Sequence, residues 1–149
     1  MFTIENLDEI RNKKGFICDM DGVIYHGNRL LPGVKEFVEW LYKEDKKFLF
    51  LTNSSDRSPR DLQQKLQRMG LDIDETHFYT SAQATARFLN SQSPGCSAYV
   101  MGEAGLMNAL YEVGITMNDS TPDYVVIGEP KSYNYEMIIK AVKLIQNLS

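Results

Sequence analysis

Gly15-Phe16-Ile17-Cys18 is a short apolar run that stops at Asp19-Met20-Asp21-Gly22, and Phe48-Leu49-Phe50-Leu51 stops the same way at Thr52-Asn53-Ser54-Ser55-Asp56. Brief, non-alternating apolar runs of this kind predict strands buried on both faces, here with polar groups at their C-terminal ends. Between the two runs, Val34, Phe37, Val38 and Leu41 recur at helical spacing, with Lys35, Glu36, Glu39, Lys43 and Glu44 on the opposite face. Strand, helix and strand in that order point to parallel pairing through a right-handed crossover.

The remainder of the chain repeats the pattern. Ser58-Pro59 supplies an N-cap and a proline at the first helical position, Leu62, Leu66 and Met69 make a stripe, and Gly70 stands at the stop. Thr80-Ser81 caps a further helix through Leu89, and Ser91 to Gly95 reads as a loop. Ser97 to Met101 is a strand, Leu106 to Val113 a helix stopped by Gly114, and Tyr124 to Ile127 a buried strand. A last helix runs from about Asn134 to Gln146 with Met137, Ile138, Ala141, Val142 and Ile145 inward. The class is α/β with a Rossmann-like parallel sheet.

Composition narrows the function classes. The 149 residues are 43% hydrophobic and 24% charged, which suits a folded core. Sixteen Lys plus Arg against twenty Asp plus Glu leave a net charge of -4 with no basic block, which disfavours nucleic-acid polymers as partners. Apolar runs fall far short of the roughly 20 residues that cross a bilayer, and the first fourteen residues do not have a signal peptide's order of charge and hydrophobicity. A cytoplasmic protein with no membrane partner is expected. Cys18 and Cys96 then read as reduced, small buried strand residues.

In open parallel sheets ligands bind outside the carboxyl ends of the strands, where this sequence puts Asp19, Asp21, Thr52 and Asn53. Asp19 and Asp21 are one residue apart, so at an extended strand end both carboxylates can point to one side, and Gly22 permits a sharp turn. Such a pair suits a hard cation such as Mg²⁺. It also suits phosphoryl chemistry in which one carboxylate attacks phosphorus while the other donates a proton and then activates water. A D-x-D-G segment taken alone is equally a turn or strand-end cap. Val23 rules out an EF-hand loop, and neither a P-loop nor a dinucleotide fingerprint occurs. His26 reads as a solvent-exposed loop residue, His77 has no visible partner, Gly102 to Gly105 reads as a strand-to-helix turn, and Trp40 and Tyr42 as packing residues.

Taken together, Phe16 to Tyr25 followed by Phe50-Leu51-Thr52-Asn53-Ser54-Ser55 closely resembles the haloacid dehalogenase (HAD) superfamily, in particular the NagD-like phosphatases with a C2-type cap. Phe78 to Ala86, Tyr99 to Glu103 and Val126 to Glu129 are similar to that family in its usual order, so the resemblance spans nearly the whole chain. It implies an incomplete HAD core over residues 1–75, then a linker helix and the start of an α/β C2-type cap over 76–149. Asp72, Asp74, Glu75 and Thr76 interrupt the hydrophobic pattern at that boundary.

The resemblance also assigns roles. Asp19 would be the nucleophile, Asp21 the general acid and base, and Thr52, with Asn53 beside it, the phosphate ligand. Mg²⁺ would be held by the Asp19 carboxylate and the Asp21 main-chain carbonyl. Outside those assigned roles, Glu129 to Tyr133 ranks lower, as a segment facing substrate from the cap. A free Asp titrates near about 3.9, so proton donation by Asp21 near neutrality needs a site that raises that value. The implied reaction is Mg²⁺-dependent hydrolysis of a small phosphorylated metabolite, a nucleoside monophosphate or sugar phosphate, through an aspartyl-phosphate. A lysine of a third motif and the acidic cluster of a fourth do not occur before Ser149, and Lys131, Lys140 and Lys143 are not in the third motif's context. The chain therefore reads as a truncated piece of a longer phosphatase or as one copy of a homo-oligomer. A non-catalytic fragment or assembly module is the alternative function, and an aspartyl-phosphate receiver-like domain a third.

Overall fold

The computed structural model describes residues 4–147. α1 (Ile4–Arg11) leads into β1 (Gly15–Asp19) and a small hairpin of β2 (Tyr25–His26) and β3 (Arg29–Leu30). α2 (Val34–Lys43) returns to β4 (Lys47–Thr52), and α3 (Pro59–Arg68) returns through a 3₁₀ turn (Glu75–His77) to β5 (Phe78–Thr80). α4 (Ser81–Gln92), β6 (Ser97–Met101), α5 (Ala104–Glu112), β7 (Thr116–Met117), β8 (Tyr124–Ile127) and α6 (Tyr135–Asn147) follow. The mixed α/β class with parallel sheets is the one the sequence predicts.

Two parallel sheets organise these elements. The first has the order β1-β4-β5 and the second β7-β6-β8, while β2 and β3 pair antiparallel. Each sheet carries its own core. Phe48, Phe50 and Phe78 pack with Val34, Val38 and Leu41 of α2 and Leu62 and Leu66 of α3, so both helices lie on one face of the first sheet. Ala82, Ala86 and Leu89 of α4 pack with Ala98 of β6, Leu106, Ala109 and Leu110 of α5 and Val126 of β8 in the second core. The helix starts follow from local chemistry. Ser58 and Asp61 form a reciprocal capping box at α3, and Thr80 and Gln83 form another at α4, each satisfying two backbone donors that a helix start leaves unpaired.

Several expectations change. β1 is not buried on both faces: it pairs with β4 alone among the described residues, and Ile17 is 72% exposed on the face opposite α2 and α3. A two-sided strand needs a cover on each side, and here the helices supply one. α6 buries Ala141 and Leu144, while Ile138, Val142 and Ile145 remain half-exposed, because its main packing partner is β8, which covers a narrow stripe. α4 continues through Gln92, so Ser91 and Gln92 are helical and the loop starts at Ser93. His77 does have partners: its ring stacks on Phe48 at 3.8 Å, and Nδ1 lies 3.0 Å from the Phe48 carbonyl. The hairpin, β5 and β7 run two or three residues each, too short for any periodicity to announce.

Phe50 is fully buried between Phe48, at 5.5 Å between ring centroids, and Phe78, at 6.1 Å. Phe50→Ala should therefore cost about 3–5 kcal/mol of folding stability. Denaturant unfolding reads this directly, and a loss below about 1 kcal/mol would contradict the packing described.

Candidate functional site

β1 and β4 run in the same direction with Cys18 opposite Phe50 and Asp19 opposite Leu51. Thr52, the last residue of β4, therefore stands one step beyond the partner of Asp19, and the two side chains share the C-terminal edge of the sheet. Asp19 is exposed, and its Oδ1 accepts a hydrogen bond from the Met20 amide at 2.8 Å. That bond orients the carboxylate and leaves Oδ2 unengaged among the described residues.

The chain next turns around the Met20 carbonyl, which accepts from the amides of Val23 at 3.2 Å and Ile24 at 2.8 Å. Gly22, at φ +79, makes that turn possible, and its amide donates to the Tyr25 carbonyl at 2.8 Å. The Asp21–Tyr25 bridge is built from the Met20 and Tyr25 carbonyls, so the Asp21 carbonyl is left out of it. Asp21 is exposed, and its Oδ2 accepts from the Tyr25 hydroxyl at 3.5 Å, a long bond. Tyr25 is 2% exposed; burial first, then the Asp21 charge, push its phenol up to about 12. It stays a proton donor across the physiological range. Lys65 of α3 sits 3.6 Å above the Tyr25 ring.

The loop after β4 is held from several sides. Thr52 is 6% exposed and its Oγ1 accepts from the Ser54 amide at 3.1 Å, which leaves the hydroxyl hydrogen for another acceptor. The Asn53 side chain is exposed, while its carbonyl accepts from the Ser81 hydroxyl at 2.8 Å. Ser54 bonds Asp56 through its hydroxyl. Ser55 is 7% exposed, and its Oγ accepts from the Glu129 amide at 3.2 Å, just past β8. The Asp56 carbonyl accepts from the Gly105 amide at 3.3 Å, in the first turn of α5. A cleft of about 220 Å³ between the two cores is lined by Asn53, Ser55, Ser81, Thr85 and Glu129, among others.

Asp19, Asp21, Thr52 and Asn53 thus lie together at the carboxyl edge of β1 and β4. Among the described residues no group of three or more His, Cys, Asp or Glu gathers at one point. What the edge offers a cation is two oxygens, the exposed Asp19 carboxylate and the Asp21 carbonyl outside the bridge. Hard oxygen donors in that number fit an ion of the Mg²⁺ type, which keeps several waters and takes others from a bound phosphate. The contacts made by Tyr25, Ser55, Asp56, Gly105 and Glu129 escape a reading of the sequence. Ser55 and Glu129 are 74 positions apart, and a strand of two residues hides Tyr25.

Gly105 meets this loop at close range. A Cβ there would lie 2.7 Å from the Arg57 amide nitrogen and from the Asp56 carbonyl carbon, both backbone atoms. Gly105→Ala should push α5 off the loop at a cost of roughly 1–3 kcal/mol, with amide chemical shifts moving at residues 55–57. Unchanged stability together with unchanged shifts would contradict the contact.

Three comparisons with known proteins bear on this arrangement. The family described as haloacid dehalogenase-like hydrolase matches residues 16–116. The ribonucleotide monophosphatase NagD of Escherichia coli (strain K12) is 41% identical over 134 residues, covering 90% of this chain and 53% of that protein. The solved structure of NagD from that strain superposes with a TM-score of 0.85 over the same shares of the two chains. A dihydroxyacetone phosphatase of Corynebacterium glutamicum (strain R) is 42% identical over 130 residues, covering 87% of this chain and 47% of that one. An acid sugar phosphatase of Staphylococcus aureus (strain USA300) is 36% identical over 139 residues, covering 93% and 54%. The chain spans about half the length of these curated relatives.

Proposed function

Because the chain belongs to the haloacid dehalogenase-like hydrolase family, we propose that it carries the nucleophile and phosphate-binding part of a Mg²⁺-dependent phosphomonoesterase acting on small phosphorylated metabolites. The observation that supports this reading is the parallel β1–β4 register, which ends with Asp19 opposite Leu51, so that the segments holding Asp21 and Thr52 both leave the sheet at its carboxyl edge. The relatives are named as a ribonucleotide monophosphatase, a dihydroxyacetone phosphatase and an acid sugar phosphatase, which supports a nucleoside monophosphate or sugar phosphate as substrate. On this reading residues 1–75 are the front of the core, and 76–149 are a linker helix and the beginning of a C2-type cap. The setting is cytoplasmic, consistent with two free cysteines, Cys18 and Cys96, and with the absence, among the described residues, of a helix long and apolar enough to cross a membrane.

The Asp19 carboxylate attacks phosphorus, forming an O–P bond as the bond to the leaving oxygen breaks. Asp21 delivers its proton to that oxygen, so the alcohol departs neutral. A water then attacks the phosphorus of the aspartyl-phosphate, Asp21 takes the water's proton, and the Asp19–phosphorus bond breaks to release inorganic phosphate. The Thr52 hydroxyl hydrogen and the exposed Asn53 amide hold phosphate oxygens without adding charge. A Mg²⁺ ion on the Asp19 carboxylate and the Asp21 carbonyl would offset the negative charge that builds up between carboxylate and phosphate. Tyr25, protonated and hydrogen-bonded to Asp21, limits where that carboxyl can swing.

Phosphate release from a panel of nucleoside and sugar monophosphates, with and without Mg²⁺, tests the reading on a sample of verified mass. Turnover should require Mg²⁺ and vanish in Asp19→Asn, while Asp21→Asn should lower it by about 10²–10⁴-fold. A folded chain that releases nothing, with Asp19→Asn indistinguishable from it, sinks the proposal.

A further inference from the structure

α3 and the β2–β3 hairpin enclose a depression of about 520 Å³ that the phosphatase chemistry does not use. Arg57, Lys65 and Arg68 line it with Asn28, Asp61 and Met69. Asp61, Lys65 and Arg68 fall at i, i+4 and i+7 and so share one helix face, with Arg57 just ahead of the helix and Asn28 in the hairpin turn. Three cations face one carboxylate in a chain whose net charge is -4.

That carboxylate is committed elsewhere. Asp61 accepts from the Ser58 amide at 2.9 Å and the Ser58 hydroxyl at 2.7 Å, bonds that hold its carboxyl below the usual range. Arg57 has a loose contact with Asp56 at 3.8 Å. Among the described residues Lys65 and Arg68 are in no ion pair: Lys65 rests on the Tyr25 ring, and Arg68 spends its Nε on the Gln64 carbonyl at 3.1 Å, which leaves the outer guanidinium nitrogens. Burial and the Arg57 charge lower the Lys65 ammonium's affinity for the proton, outweighing the opposing pull of the Asp21 and Asp56 carboxylates. An anion in the depression would offset both effects.

We propose that this depression binds a small oxyanion carrying at least two negative charges, a phosphate or polycarboxylate group, held by Lys65, Arg68 and Arg57 with the Asn28 amide as a further donor. Phosphate and carboxylate oxygens suit a paired arginine and lysine site because charge-assisted bonds to several oxygens form at once. The anion is either the far end of a substrate whose ester phosphate sits at Thr52 or a separate molecule.

Binding decides this without turnover. Inorganic pyrophosphate is titrated into the 149-residue chain in a chelator at constant ionic strength, with backbone amides followed by NMR. Saturable shifts are expected at Asn28, Lys65 and Arg68, and Lys65→Gln with Arg68→Gln should weaken the affinity by about tenfold or more. Arg60→Gln, outside the depression, should leave it within about twofold, since a lone exposed charge contributes little. A Thr52→Ala variant separates the two sources: weaker binding marks one molecule spanning both positions, and unchanged binding marks a separate anion. Shifts confined to residues 19–22 and 52–55, or a double variant that binds like the unaltered chain, would overturn the proposal.

Discussion

The pairing of β1 with β4 is the constraint from which the rest follows. Five consecutive residues of β1 face five of β4 in parallel register, from Gly15 opposite Lys47 to Asp19 opposite Leu51. Side chains alternate along a strand, so a slip of one residue would turn Phe16 and Cys18 away from α2 and α3 and drive Ile17 into the core. The register is fixed by packing. Phe16 meets Phe37 at 6.1 Å and Trp40 at 5.4 Å between ring centroids, both on α2, and Phe48 and Phe50 take the same face. With those contacts in place the strands must end together, which leaves Asp19 and Thr52 at the same carboxyl edge of the sheet. The geometry of the candidate site is thus a consequence of aromatic packing some residues away.

The loop that follows Thr52 ties the two cores together. Backbone groups of Ser54, Asp56 and Glu129 and the hydroxyls of Thr52 and Ser55 are all engaged within it or across it. Gly105 and Gly128 are where the second core comes closest: a Cβ on Gly128 would lie 2.9 Å from the Ser55 hydroxyl oxygen. Such contacts hold the loop through backbone amides and small residues, which spend little side-chain entropy on ordering it. A phosphate held at Thr52 and Asn53 would thereby sense the position of the second core as well as the first.

How much of this the sequence announces depends on the range of the interaction. Strands of four to six residues with abrupt polar ends were legible, as were helices with caps such as Ser58-Pro59 and Thr80-Ser81, because each signal is local. The placement of Asp19, Asp21, Thr52 and Asn53 at strand ends came from the same stop pattern, and the family membership from the order of the motifs. Elements of two or three residues left no period to read, so the hairpin that carries Tyr25 was hidden. Long-range partners were hidden for a different reason: nothing near Ser55 points to Glu129, and His77 pairs with a main-chain carbonyl and an aromatic face that carry no motif. The exposure of Ile17 and of half of α6's apolar stripe has the same origin, since hydrophobic period tells which side packs but not whether a cover is there.

The account rests on Asp19 as the residue that takes the phosphoryl group, and that can be read as a covalent product. 4-Nitrophenyl phosphate has a leaving group that needs little protonation, so in Asp21→Asn the first step should proceed while hydrolysis of the acyl phosphate slows. Rapid acid quench of that variant with Mg²⁺ and 4-nitrophenyl phosphate, followed by peptide mass spectrometry, should find one phosphoryl group on the peptide that contains Asp19, and none when Asp19 is also changed to Asn. Nitrophenol released with no phosphoryl group on that peptide, or the group on another residue, would contradict the account.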